Sequence, residues 1–227
     1  MASPTYIAAG TSTSNAFSTG ALTAGATGSR RVVLVAAADS GSYPTNLGVT
    51  GGGVTFAEED SEQFRSRRFV AIATSDGAAT TTALTITITV PNTFQECHWV
   101  VVDVPNFSSF GTPANLEGGG GLTAFSAPDV GTIGANDFAL FVAGQENASD
   151  GLDVDANSTQ VYQDLTGDNI RSIVVGYSTT DDTPGVVWTT AGDAQEVGIV
   201  AILCATTGGG GATFYTTTEL TISPYAD

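Results

Sequence analysis

Lysine is absent from this 227-residue chain: all six basic residues are arginine, against 23 aspartates and glutamates, for a formal net charge of −17 at pH 7. That balance excludes nucleic acid and anionic membrane as partners, because both are held by clustered cations. The single histidine, His98, cannot build a histidine-based metal centre, and no GxSxG elbow accompanies it to supply a nucleophile. No Walker-type phosphate loop occurs. The two cysteines, Cys97 and Cys204, show neither CxxC nor Cys/His spacing, which removes a structural zinc site. Both lie in apolar runs and read as small core hydrophobes, with one inter-strand disulfide as the alternative. No stretch reaches the roughly 18 apolar residues that a membrane helix needs. Met1 to Ser29 has no basic n-region and no apolar h-region, so the expectation is a chain without a signal peptide, made in the cytoplasm. Arg30-Arg31 followed by Val32 to Ala38 mimics a twin-arginine signal, but it lies far into the chain and its apolar run is short. It reads as a buried strand with two arginines at its mouth.

What is present is alternation. Leu84-Thr85-Ile86-Thr87-Ile88-Thr89-Val90 puts four aliphatic residues on one face and three threonines on the other, the pattern of a half-buried antiparallel strand. The runs at 32–38, 98–104, 138–143, 173–177 and 197–204 are apolar on both faces, and 69–74, 160–164 and 186–190 add shorter strands. Gly, Pro, Asn, Asp and Ser clusters between them carry turn chemistry. No helical periodicity competes, so the expected class is an all-β sandwich or barrel. Gly118 to Gly121 reads as a joint between two halves of similar length, with no residue-level repeat between them and one domain over 1–207 favoured. Gly208 to Gly211 tethers a last segment, 212–227, in which Phe214 to Ile222 reads as a further strand. A tethered strand either pairs with a neighbouring subunit or folds back on its own sheet.

The excess of carboxylates fits a chain that works in brine. At molar salt the Debye length falls to about 3 Å, and repulsion between surface acids is nearly abolished. The composition resembles that of proteins of extreme halophiles and their viruses; an acidic protein of an ordinary high-GC source is the alternative. Among candidate sites, Asp150, Asp153 and Asp155 offer hard oxygen ligands for a structural Ca²⁺ or Na⁺, although their spacing departs from an EF-hand loop. A solvated acidic loop is the competing reading, and no other cofactor is expected. Glu58 to Glu62 followed by Arg65, Arg67 and Arg68 forms a charge-segregated hairpin. Its ions pair locally, or its arginines meet an acidic face of another subunit. Asn106, Asn147 and Asn157 head glycan acceptor sequons. Paired acids alone do not make a glycosidase, and Trp99 and Trp188 lie inside strands rather than in a sugar-stacking wall, so no enzyme and no catalytic residue is expected.

The order of pieces carries a resemblance. Arg30 to Ala36, Gly48 to Phe56, Phe69 to Ala73, Leu84 to Ile88, His98 to Val104 and Asp137 to Gly144 together resemble the jelly-roll modules of tailed-virus virion proteins: capsid decoration, turret and tail-fibre components. The resemblance implies a jelly-roll-like antiparallel sandwich, a homo-oligomer, a location on the virion surface and the major capsid protein as partner. Phe214, Tyr215, Leu220 and Ile222, with the three hairpin arginines, are the expected oligomer contacts. A tail-fibre or lectin-like module binding host glycans is the alternative. If the C-terminal segment is the anchor, deleting 208–227 abolishes particle incorporation while the core stays folded; truncated protein that decorates particles normally would refute this.

Overall fold

The computed structural model describes residues 2–64, 67–118, 124–145, 151–166, 172–188 and 197–207, and every regular element among them is a strand. In chain order these are β1 (Thr5–Ser12), β2 (Ala16–Ser18), β3 (Arg30–Asp39), β4 (Asn46–Gly51), β5 (Phe56–Phe64), β6 (Arg68–Ser75), β7 (Leu84–Thr89) and β8 (Phe94–Val104). There follow β9 (Phe107–Phe110), β10 (Ala114–Gly118), β11 (Ala124–Ser126), β12 (Phe138–Gln145), β13 (Leu152–Val154), β14 (Thr159–Asp164), β15 (Ser172–Ser178), β16 (Gly185–Trp188) and β17 (Val197–Thr206). The alternating run emerges as β7, its aliphatic residues buried and its threonines exposed in strict succession. The all-β expectation holds, and every strand pair is antiparallel.

The sheets show an internal repeat that the residues do not. The first eight strands form one sheet in the order β1-β8-β3-β6-β5 and a second in the order β2-β7-β4. The later strands form sheets in the orders β10-β17-β12-β15-β14 and β11-β16-β13. Adding nine to each label of the first pair of sheets reproduces the second pair, so the chain folds by the same path twice. The extra strand β9 pairs with the end of β17 that β10 leaves open; together they lie along β17 as β1 lies along β8. The second path therefore begins at Phe107, after Pro105 and Asn106, the latter with φ of +48°. Gly118, expected at a joint between halves, instead ends β10 inside the second path; Gly119 to Gly121 lie outside the described residues.

Period-two geometry decides which face each residue serves. In β3, Val32, Leu34, Ala36 and Ala38 join one apolar cluster, while Val33, Val35 and Ala37 join another with Leu47 of β4 and Ile86 of β7. In β12, Phe138, Leu140 and Val142 enter the same cluster as Val32, while Ala139, Phe141 and Ala143 pack with Phe125, Leu152 and Val186. The two large sheets, of five strands and of six, thus face each other across a shared core, and each three-stranded sheet covers an outer side. Four layers result. The central strands of the inner two bury both faces, which is why β3, β6, β8, β12 and β17 read as largely apolar runs rather than alternations. The shared core also holds the two paths together as one body over the described part of 1–207.

One contact shows how closely the inner sheets approach. Gly144 of β12 and Gly198 of β17 are register partners, and the Phe64 ring of β5 lies over them. A Cβ on Gly198 would fall 2.4 Å from Phe64 Cδ1, and one on Gly144 would fall 2.8 Å from Val70 Cγ1. Only glycine fits this notch. Gly198→Ala is expected to cost about 1–3 kcal/mol by overpacking, and Phe64→Ala about 3–5 kcal/mol by leaving a cavity, both read from urea unfolding midpoints. A Gly198→Ala protein as stable as the parent would show that the sheets can separate without penalty.

Candidate functional site

The repeat places a polar cluster where the notch has its counterpart. Register runs Phe64, Arg68, Ala38, Glu96 across β5, β6, β3 and β8, and Asp164, Ile173, Gly144, Gly198 across β14, β15, β12 and β17. Phe64 of the first row meets the glycines of the second. Reciprocally, Asp164 of the second row reaches His98, two residues along β8 from Glu96. His98 is 1% exposed, with Nε2 3.1 Å from Glu96 Oε1 and Nδ1 3.3 Å from Asp164 Oδ2. His98 is therefore a bridge between the two paths. Tyr6 of β1 stacks on Tyr162 of β14 along the same seam, ring centroids 6.2 Å apart.

This cluster has the residue types of acid–base chemistry without a nucleophile. The neighbouring Cys97 points into the opposite core, and burial pushes its thiol pKa up, with the Glu96 charge adding to the effect. Cys204 is equally buried and its pKa raised by desolvation. Both cysteines are free and sit in different apolar clusters, so the disulfide alternative is not realised. The cluster fits a structural tie.

Several carboxylates elsewhere are bound up in local turns and in the seam. Asp153 Oδ1 accepts the Val154 N–H at 2.7 Å, and Asp155 Oδ1 accepts the Asn157 N–H at 3.1 Å. Asp150 lies outside the described residues, and among those described no three His, Cys, Asp or Glu side chains are grouped to hold a metal ion. The acids of the charge-segregated hairpin lie on β5, where they are half-buried rather than solvated. Asp60 accepts from Asn115 Nδ2 of β10 at 2.8 Å to each oxygen, another tie across the seam. The Glu62 pKa is raised, first by burial and then by the charge of Glu117. Of the arginines, Arg68 is 7% exposed in β6, between β3 and β5, whereas Arg67 is exposed. Arg67 is thus the outward-facing one of the described pair; Arg65, Phe214, Tyr215, Leu220 and Ile222 lie outside the described residues. Of the sequon asparagines, Asn106 and Asn157 are exposed, and Asn147 is outside the description.

A cleft of about 320 Å³ opens at the other end of the seam, between β3, β5, β6 and β9. Alternation along β3 divides the twin arginines. Arg31 turns inward, 0% exposed, and grips Asp103 through Nε–Oδ1 at 2.9 Å and Nη2–Oδ2 at 3.0 Å. Arg30 turns to the cleft, its guanidinium 5.0 Å over the Phe107 ring. Its Nη1 donates to the Ser29 carbonyl, and no carboxylate lies within ion-pair distance among the described residues. Phe56, Phe107 and Phe110 supply apolar walls; the Phe107 and Phe110 rings are 4.4 Å apart. Two acids line the cleft, each engaged: Glu59 accepts the Thr74 hydroxyl, and Asp76 accepts the Thr55 N–H at 2.9 Å. Sequence reasoning missed this site because its members are up to 80 positions apart and share no spacing signal.

Against protein-family models, curated proteins and solved structures, the chain matches none. Any reading of function must come from the fold and these sites.

Burial pushes the Asp164 pKa up, but hydrogen bonds from Thr166 and the adjacent His98 outweigh it and hold the carboxyl below its ordinary value. A folded value below the unfolded one contributes stability that is present above about pH 4 and lost as pH falls through the folded value. Asp164→Asn should therefore lower stability at neutral pH and flatten its decline below about pH 4. Urea midpoints from pH 3 to pH 7 test this; parallel profiles for parent and variant would remove Asp164 from the tie.

Proposed function

We propose that this chain is a non-enzymatic structural protein of a virus particle, an oligomeric decoration or turret subunit on the surface of a tailed virus with a halophilic host. The observation that carries the reading is the doubled strand order. Numbering each set of eight strands from one, β1-β8-β3-β6 opposes β2-β7-β4, with the fifth strand hairpinned to the sixth at the sheet edge. Apart from the place of the fifth strand, that order supports a jelly-roll reading, an architecture used in capsid shells, lectins and cupins. A fold analogy supports the class and not the site. The acidic, lysine-free composition supports the saline setting, and the partners follow from the class: further copies of this chain and the major capsid protein. The C-terminal segment remains the proposed anchor.

A glycan-binding module is the second reading, favoured by the Phe56, Phe107 and Phe110 walls beside Arg30. Aromatic faces and hydrogen-bonding side chains in an open cleft are what a sugar ring requires.

The two readings separate in one comparison. Purified particles from a saline virus encoding this chain should contain it in fixed, stoichiometric copy number, placed by symmetry in a particle map, and a glycan array at high salt should stay silent. Absence from particles together with saccharide binding would overturn the structural reading in favour of the module.

A further inference from the structure

The Arg30 cleft and the C-terminal segment meet at one place. Thr206 is the register partner of Phe107, and Thr207 donates from its backbone N–H and its hydroxyl to the Asn106 carbonyl, at 2.7 and 3.1 Å. Phe107 is a wall of the cleft, so the chain beyond Thr207 departs from the cleft's rim. Twenty residues follow, beginning with Gly208 to Gly211. We infer that the cleft is the docking site for this chain's own C-terminal segment, 212–227.

Composition matches the segment to the cleft. The segment carries Phe214, Tyr215, Leu220, Ile222 and Tyr225, and its only charged side chains are Glu219 and Asp227. The cleft offers three phenylalanine walls and one cation, Arg30, that no described carboxylate pairs. In a chain with 23 acids and six arginines, a half-buried guanidinium left without a carboxylate is out of keeping with its surroundings. An incoming acid and an aromatic ring would complete both features. Glu59 and Asp76, each accepting from a threonine, keep their charges and oppose an incoming acid, so the aromatic side chains of the segment carry the larger share of the match.

Linkage favours the same molecule over a second copy. Phe214 stands seven residues beyond Thr207, a reach of up to roughly 24 Å when extended, and the exit point adjoins the cleft. A short glycine-rich tether sets an effective concentration on the order of millimolar. A neighbouring copy competes only when crowded to that level, as on a particle surface, where the same segment is free to exchange. The inference concerns the isolated chain and stands or falls apart from the virion reading.

Full-length chain carrying Ala57→Cys on the cleft and Tyr215→Cys on the segment tests it under mild oxidation with diamide. Cys97 and Cys204 are 0% exposed and do not compete. The expected product is an intramolecular disulfide, seen as a faster-migrating monomer on a non-reducing gel. It should form at a rate independent of protein concentration and about tenfold faster than in a Thr87→Cys/Tyr215→Cys control on the outer sheet, since a tether alone serves both pairs. Adding Arg30→Glu should bring the rate down to that control while leaving the thermal midpoint within a few degrees of the parent. Equal rates for cleft and control, or no cleft disulfide, would overturn the inference and leave the cleft to a foreign ligand. Cross-linked dimers without the monomeric species would overturn it in favour of a second copy.

Discussion

The structure depends on two large sheets, one of five strands and one of six, that have only each other to cover their inner faces. Val32, Leu34, Val100 and Val102 on one side and Leu140, Val142, Val200 and Ile202 on the other are all fully buried in a single cluster. Separated, each sheet would present an apolar face of the size that drives association. Neither half of the chain is self-sufficient, and the shared core, more than the Pro105–Asn106 connection, makes one body of the two paths.

The strand path is followed twice with different residues at equivalent places, and that difference gives the seam its polarity. Equivalent rows read Phe64, Arg68, Ala38, Glu96 in the first half and Asp164, Ile173, Gly144, Gly198 in the second. A phenylalanine needs the glycine notch, and an aspartate needs the histidine, so each half is complementary to the other and not to itself. Two first halves brought together would place Phe64 against Ala38 and Glu96, with no notch to receive the ring. The asymmetry thus fixes the pairing of the halves, with apolar packing at one site and charge-assisted contact at the other.

Where the polar residues go follows from the same seam. Asp60 with Asn115, His98 with Asp164 and Tyr6 with Tyr162 tie the sheet edges, while Arg31 and Asp103 pair inside the first sandwich. The carboxylates of β5, which the sequence placed in a solvated hairpin, are half-buried, and Glu58, Glu59 and Asp60 accept hydrogen bonds from Leu47, Thr74 and Asn115. Arg30 alone of the twin arginines is turned to open space, where it meets the aromatic cleft beside the point at which the C-terminal segment leaves.

Local pattern was sufficient for the class of the fold. Alternation at 84–90, apolar runs at 32–38, 98–104, 138–143 and 197–204, and the placing of Cys97, Cys204, His98 and Trp99 inside strands all follow from a period-two backbone and the preference of apolar side chains for burial. Those same runs announced strands buried on both faces, but could not say what lay against the second face. That partner, the repeat that begins at Phe107, the Phe64 notch and the cleft beneath Arg30 were decided by contacts between residues far apart in the chain, 134 positions for Phe64 and Gly198 and 156 for Tyr6 and Tyr162. Strand periodicity repeats every two residues whatever lies opposite; the choice of what lies opposite belongs to shape and charge matched across the seam, which exist only once both sheets have formed.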